Sequence, residues 1–524
     1  MLDIVIRNAT LVDGSRAPRR KADVGILGDR VEVIGDLSSA VARQVLDASG
    51  KIIAPGFIDM HSHGDSMLPF LPTADSKVHQ GVTLEVVGNC GFSMAPFSRQ
   101  MLDEMNETYA QEGGHKHVDW DTFAGFFERL RRQGTSVNVF ALAGHGTIRE
   151  KVMGMTDAVP TPQQMGEMKD EVRRAMESGA RGLSTGLIYT PSLYARTEEI
   201  VELAKVAGKL GGIYTSHIRG EGDTLLEAIA EAVEIGRAAD IPVEISHLKA
   251  SGPRNWHKMP QAIEMIEKAR RSGLDISADM YPYPASNTGL TSIVPAWAHV
   301  GGRDALLARL ADAGERERIC RELNNPEVSQ PRFWDKIMIS YCPANPQLEG
   351  QTIEQIAAAR RHDPLGTALD LLVENRLNVD IIMFTMKDEN VAMGLQMDFV
   401  AIGTDGSGYA KEGPLSGGKP HPRNFGTFPR VLGYYAREQE LFSLEEAVWK
   451  MTGLPAGKLK LAQRGLLQEG YFADLVVFDE VAIRDMATFT QPHQFPQGIL
   501  SVMVNGVWVV RDGVLSGQRP GVIL

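Results

Sequence analysis

The sequence predicts an α/β protein: a (β/α)8 TIM barrel, a small β-sandwich domain built from both chain ends, and an insertion after the seventh barrel strand. Three observations lead there. In the middle of the chain, short apolar runs alternate with stretches of helical periodicity. Both ends instead read as strands joined by tight turns. The residues best able to carry chemistry stand where the central apolar runs stop, and a barrel assembles its active site at the C-terminal ends of its strands.

Taken in order, residues 3–12 alternate, with Ile4, Ile6 and Leu11 apolar, before the turn Asp13-Gly14. Two short runs, 24–27 and 31–34, flank Gly28-Asp29-Arg30 as a hairpin. The far end repeats the style, with a strand at 474–478 and a hairpin over 502–510 about Asn505-Gly506. Between them lie strand candidates at 57–63, 83–89, 137–143, 182–187, 212–217, 243–248, 274–280 and 400–404. Apolar residues at helical spacing mark 198–210, 225–239 and 262–269. The stretch from about 284 to 345 breaks this rhythm with Pro295, a charged helix over 303–323 and the irregular Asn324-Asn325-Pro326. It reads as an insertion placed to lid the site. A further short strand at 380–384 leaves the strand numbering open there. The expected division is residues 1–55 and 464–524 for the β domain and 56–463 for the barrel.

Composition narrows the function. Hydrophobic residues at 43% suffice for a large core, and the net charge of −12 argues against binding nucleic acid. Cys90, Cys320 and Cys342 cannot all pair, which fits a reducing cytoplasm. No signal peptide is read, and no apolar run is long enough to span a membrane. The expected partner is a small-molecule substrate, with neither nucleic acid nor membrane; a homo-oligomer is left open.

His61 and His63 lie two apart at the end of the first strand and face the same way. Alone, such a pair is as well explained by hydrogen bonds capping a strand. The later strands end at Cys90, His145, His217, His247 and Asp405. Packing accounts for one or two buried histidines, not for the whole set with a thiol and a carboxylate in equivalent places. The set points to a metal site.

The run Pro55-Gly56-Phe57-Ile58-Asp59-Met60-His61-Ser62-His63, the later His217 and His247, Asp405, and Ala473-Asp474-Leu475-Val476 resemble the amidohydrolase superfamily. Within it, Gly88-Asn89-Cys90-Gly91, Thr215-Ser216-His217-Ile218-Arg219, Ser246-His247-Leu248-Lys249, Tyr281-Pro282-Tyr283 and His421-Pro422-Arg423 resemble the D-aminoacylases, or N-acyl-D-amino-acid deacylases. The resemblance covers nearly the whole chain. It implies Zn²⁺ held tightly by Cys90, His217 and His247, with a weaker second position near His61 and His63. Hydantoinases and dihydroorotases bridge two metals with a carboxylated lysine on the fourth strand. Residues 181–189 hold no lysine, and Cys90 is the available replacement; a thiolate with imidazoles suits zinc.

On that resemblance the expected reaction is hydrolysis of an N-acyl-D-amino acid. Zinc brings the pKa of a water towards about 7 and polarises the amide carbonyl. Asp405 is the expected general base and acid. The substrate's α-carboxylate needs a partner, and Lys249, on the face of His247, is the first candidate. The resemblance adds Tyr189, Tyr283, Ser286 and Arg423 as substrate-holding residues. Tyr194, Arg219 and His145 are weaker candidates, and His421 is divided between loop structure and substrate contact. Leu290, Ile293, Val294, Trp297, Met383 and Met386 suggest an apolar side-chain pocket, hence a neutral or hydrophobic substrate. The D configuration rests on resemblance alone. Two other readings stand: an amidohydrolase that opens cyclic amides or cleaves D-dipeptides, and a non-enzymatic scaffold. The retained ligand positions disfavour the scaffold.

Overall fold

The computed structural model describes residues 1–111, 113–325 and 332–524. Eight parallel strands form the barrel: Phe57–Asp59, Val82–Val87, Asn138–Ala141, Gly182–Gly186, Ile213–His217, Val243–Ile245, Ile276–Met280 and Val400–Ile402. The third strand is kinked. Its first part pairs with the second strand, and its continuation Ala143–Gly144 pairs with the fourth. The last strand returns to the first through Met60 N–H donating to Ile402 O at 3.2 Å. All eight strands fall within the predicted runs or one residue beyond them, and several stop early. The second ends at Val87 because Gly88 and Cys90 take positive φ, which no ladder can continue.

The outer helices follow from local sequence. Pro162–Ser178 starts at a capping box in which Thr161 and Gln164 satisfy each other's backbone N–H groups, with Pro162 in the first turn. Leu225–Ala239 buries Leu225, Ala228, Ile229, Ala232, Ile235 and Ala239, one stripe at three- and four-residue spacing. It ends where Asp240 turns left-handed.

The insertion is longer than the expected 284–345. Ser286–Gly289 and Ile337–Tyr341 both pair antiparallel with Asp380–Met383, so the short strand of uncertain numbering belongs to the inserted unit. The unit has its own core, including Leu306, Leu310, Ile319, Ile339, Leu369 and Ile381. The charged helix is two helices, Gly302–Ala311 and Ala313–Leu323, because Asp312 leaves the helical conformation and caps the second one through Glu315 N–H. Pro326 lies outside the described residues.

Both chain ends meet in one nine-stranded sheet. Leu475–Phe478 pairs antiparallel with Ile52–Pro55, placing Val476 opposite Ala54. Ile4, Ile6, Val24, Ile26, Leu475 and Met503, drawn from both chain ends, gather in one core, and the strands of the expected sandwich are hydrogen-bonded into that single sheet. Asp474 ties this sheet to the barrel. Its buried carboxylate pairs with Arg464, accepts Asn505 N–H at 2.8 Å, and lies 3.3 Å from Asn138 Nδ2 on the third barrel strand. Arg464→Ala strands that carboxylate without its cation and is expected to cost about 3–5 kcal/mol. Urea unfolding monitored by tryptophan fluorescence measures it.

Candidate metal centre

Cys90 follows the second barrel strand in a loop squeezed between neighbours. A Cβ on Gly186 would fall 2.0 Å from Cys90 O, and one on Gly144 would fall 2.6 Å from Gly91 O. Only glycine permits that approach. The loop puts Cys90 Sγ 3.3 Å from His61 Nε2, 3.6 Å from His217 Nδ1 and 3.5 Å from His247 Nε2. All four side chains are buried. Asp405 completes the cluster from the last strand, its Oδ1 3.5 Å from His61 Nε2 and 3.1 Å from His63 Nε2. His63 is the most exposed of these imidazoles and faces Asp405 rather than the thiol.

The donor set fits a tetrahedral sulfur–nitrogen metal site. Zinc–sulfur bonds of about 2.3 Å and zinc–nitrogen bonds of about 2.0 Å at the tetrahedral angle separate sulfur from nitrogen by about 3.5 Å. The three sulfur–nitrogen distances match that spacing. His217 turns Nδ1 to the sulfur, and its other ring nitrogen, Nε2, is buried without a hydrogen-bond partner on the side of Glu221. Burial lowers the pKa of His61 to about 3 and, with His247, that of His217 well below its usual value. These imidazoles are neutral and hold the lone pair that a metal needs. Burial, then Asp405, pushes the Cys90 thiol well above its usual range; only a cation bound there reverses that.

Two acids organise the ligands, and neither was among the sequence candidates. Glu221 Oε1 lies 3.0 Å from His247 Nδ1, 3.8 Å from His217 Nε2, and against Lys249 Nζ. Asp279 accepts His247 N–H at 2.8 Å and lies 3.3 Å from His61 Nδ1. The available signals were Glu221 four residues past His217 and an acid inside the apolar strand Ile276–Met280.

A cavity of about 460 Å³ opens beside this cluster. Tyr189, Lys249, Ser286, Arg423 and Asp405 line it. Arg423 Nη1 pairs with Asp405 Oδ2 at 2.8 Å, and its Nε is buried without a partner. Burial would raise the Asp405 pKa, but Arg423, then His247 and His63, hold it well below the usual carboxylate range.

Several candidates lie elsewhere. Tyr283 is turned away: its hydroxyl donates to Asp485 Oδ2 at 3.3 Å, and its ring sits under Arg430. Tyr281 lines the cavity in its place. Leu290 and Ile293 pack in the insertion's core, Trp297 Nε1 donates to Glu322, and Met386 Sδ accepts from Tyr281. Val294 and Met383 do reach the cavity. Arg219 is held by Glu231 and the carbonyls of Leu193 and Ala195. His145 bridges Ser192 and Glu199, Tyr194 donates to Ala296 O, and His421 binds Ala285 O.

The amidohydrolase family model matches residues 44–510. A D-aminoacylase of Alcaligenes xylosoxydans xylosoxydans is 38% identical over 522 residues, spanning 100% of this chain and 97% of that protein. A solved D-aminoacylase structure with a binuclear metal centre is 36% identical, with a TM-score of 0.84 and 100% of both chains covered. The N-acyl-D-glutamate deacylase from Bordetella bronchiseptica, solved with zinc and a phosphonate mimic of the tetrahedral intermediate, is 35% identical. It has a TM-score of 0.84 and covers 100% of this chain and 99% of its own. The cluster at the barrel rim and these matches agree on a metal-dependent hydrolase. This chain belongs to the amidohydrolase family.

Removing the sulfur tests the centre directly. Cys90→Ala is expected to weaken the tightest metal site by about 100-fold or more. Metal analysis after dialysis against a graded chelator reads this out, and a full complement of retained metal would overturn the assignment.

Proposed function

We propose that this protein is a zinc-dependent deacylase that converts N-acyl-D-amino acids to a carboxylic acid and a free D-amino acid. The carrying observation is that one cavity joins the thiol–imidazole cluster, the carboxylate Asp405 and the two cations Lys249 and Arg423. Those are the parts that hydrolysis of an amide bearing an α-carboxylate requires. In this reading zinc sits tightly on Cys90, His217 and His247, with a second, weaker position at His61 and His63.

When bound, zinc supplies Lewis-acid polarisation of the amide carbonyl and brings the pKa of a water towards about 7. Asp405, kept ionised by Arg423, takes the proton of that water and delivers it to the departing nitrogen. The C–N bond breaks, the acyl carbon gains the hydroxyl, and the amine leaves with the proton. His63, 3.1 Å from Asp405, holds the carboxylate's orientation. Lys249 and the free N–H of Arg423 take the α-carboxylate, and Tyr189 and Ser286 close around it.

The side chain accepted is neutral or hydrophobic. Among the described residues, Lys249 and Arg423 are the only Lys or Arg lining the cavity, and each already faces a carboxylate. Phe92, Ile188, Leu193, Val294 and Met383 supply apolar wall, while Asp380 adds a negative charge. An acidic side chain finds no spare cation there. The chemistry lies in the barrel, residues 56–463, and none is assigned to the domain of 1–55 and 464–524. The three unpaired cysteines support a reducing cytoplasm. No helix among the described residues is long and apolar enough to cross a membrane.

Two measurements test this. N-acetyl-D-methionine and N-acetyl-D-leucine should be hydrolysed, their L isomers and hydantoin should not, and N-acetyl-D-glutamate should trail by about tenfold or more in kcat/KM. A preference for glutamate would refute the side-chain assignment. Asp405→Asn should keep its zinc and lose about 10²–10⁴ in kcat; near-normal turnover would remove Asp405 from the mechanism.

A further inference from the structure

Lys77 is a fully buried lysine with no part in the steps above. It stands on the short helix Asp75–Val78, after the loop that follows the first barrel strand. An ammonium has three hydrogens to donate, and Lys77 Nζ has four oxygens within 3.0 Å. These are Asp59 Oδ2 at 2.8 Å, Ser62 Oγ at 3.0 Å, Thr404 Oγ1 at 2.7 Å and Gly406 O at 2.8 Å. Glu85 Oε2 lies 3.6 Å away.

The positions of these partners are more informative than their number. Ser62 sits between His61 and His63. Thr404 and Gly406 sit on either side of Asp405. One ammonium therefore holds the segment bearing two metal-ligand candidates and the segment bearing the base. Direct backbone bonds run the same way, Asp405 N–H to His61 O at 2.7 Å and His63 N–H to Gly406 O at 3.0 Å. Asp59 reinforces the joint by accepting Thr404 N–H at 2.8 Å and Thr404 Oγ1–H at 2.7 Å. The packing leaves no slack, since a Cβ on Gly64 would fall 2.1 Å from Glu85 Oε2.

A lysine buried only for stability would be an expensive choice. Well-packed apolar residues commonly replace a buried ion pair at no loss of stability. What an apolar residue cannot do is fix two loops at once through directed bonds. We propose that Lys77 is a positioning residue: it clamps segment 61–63 to segment 404–406, and so sets the second metal position and the aim of Asp405. The tight position on Cys90, His217 and His247 has no contact with Lys77 and is independent of it.

The inference rests on the deacylase reading for its turnover arm, whereas metal titration needs no substrate and so separates failure of one from failure of the other. The test uses the full chain stripped of metal and titrated with cobalt(II), followed by absorption. Lys77→Met/Asp59→Asn removes the ammonium and its nearest carboxylate together, which avoids leaving Asp59 unpaired, while Glu85 keeps its hydrogen bond from Ser62 Oγ. One cobalt should still bind tightly, with its thiolate charge-transfer band, while the second binds about 10–100-fold more weakly. With zinc, kcat should fall about 10–100-fold while KM stays within about threefold. If that pair fails to fold, Thr404→Val against Thr404→Ser decides. Valine removes the hydroxyl that Lys77 and Asp59 share and should reproduce both losses; serine keeps it and should restore both. The proposal is overturned if a folded variant keeps the second cobalt and its kcat, if the tight cobalt is lost as well, or if serine and valine behave alike.

Discussion

The site depends on backbone that leaves the barrel against its preference. Cys90, His247 and Asp405 all sit at positive φ, of 53°, 36° and 48°. Each such residue costs roughly 1–3 kcal/mol. A side chain that followed its strand outward would point to solvent or into the next loop. The left-handed turn swings it over the barrel axis instead, where thiol, imidazole and carboxylate meet within 4.8 Å. The glycines of the third and fourth strands make room for this crowding, and the bonds that His247 N–H donates to Asp279 and Asp405 N–H donates to His61 O hold it in place.

Charge is arranged with equal economy. The His61 and His217 imidazoles are kept neutral by burial, so the acids beside them are not spent on imidazolium ions. Glu221 instead sits between Lys249 and His247 and reads both. It fixes the His247 ring and partly neutralises Lys249. Arg423 does the matching work at Asp405. Each cation in the cavity thus has a fixed anion behind it, which holds its side chain still and leaves part of its hydrogen-bonding capacity for a ligand.

Much of this was legible because ligands in a barrel stand where strands end, and strand ends can be read from apolar runs. His61, His63, Cys90, His217, His247 and Asp405 stand at such ends and gather at the rim, whereas His145 stands at one and bonds Ser192 and Glu199 instead. The resemblance favours Tyr283, yet Tyr281 lines the cavity: Pro282 turns the chain between them, and strand alternation no longer says which ring faces inward. The insertion's far boundary was hidden because Asp380–Met383 finds its partners some forty and ninety residues earlier. Asp279, Glu221 and Lys77 were missed for a different reason. A buried charge is defined by its partners, and here those come from other strands and loops that only the folded chain brings near.

The nine-stranded sheet sets an order of events during synthesis. Ile52–Pro55 emerges first but waits for Leu475–Phe478, more than four hundred residues later, to cover its open edge. Until then the earliest part of the chain is an unfinished half-sheet with an apolar side and unpaired backbone, the kind of surface on which chaperones act and neighbouring nascent chains stick. Successive barrel strands can pair in the meantime, and the cylinder closes once Val400–Ile402 reaches the first strand. The termini are therefore the last part of this molecule to become safe, and its yield in a cell hangs on how that interval is managed.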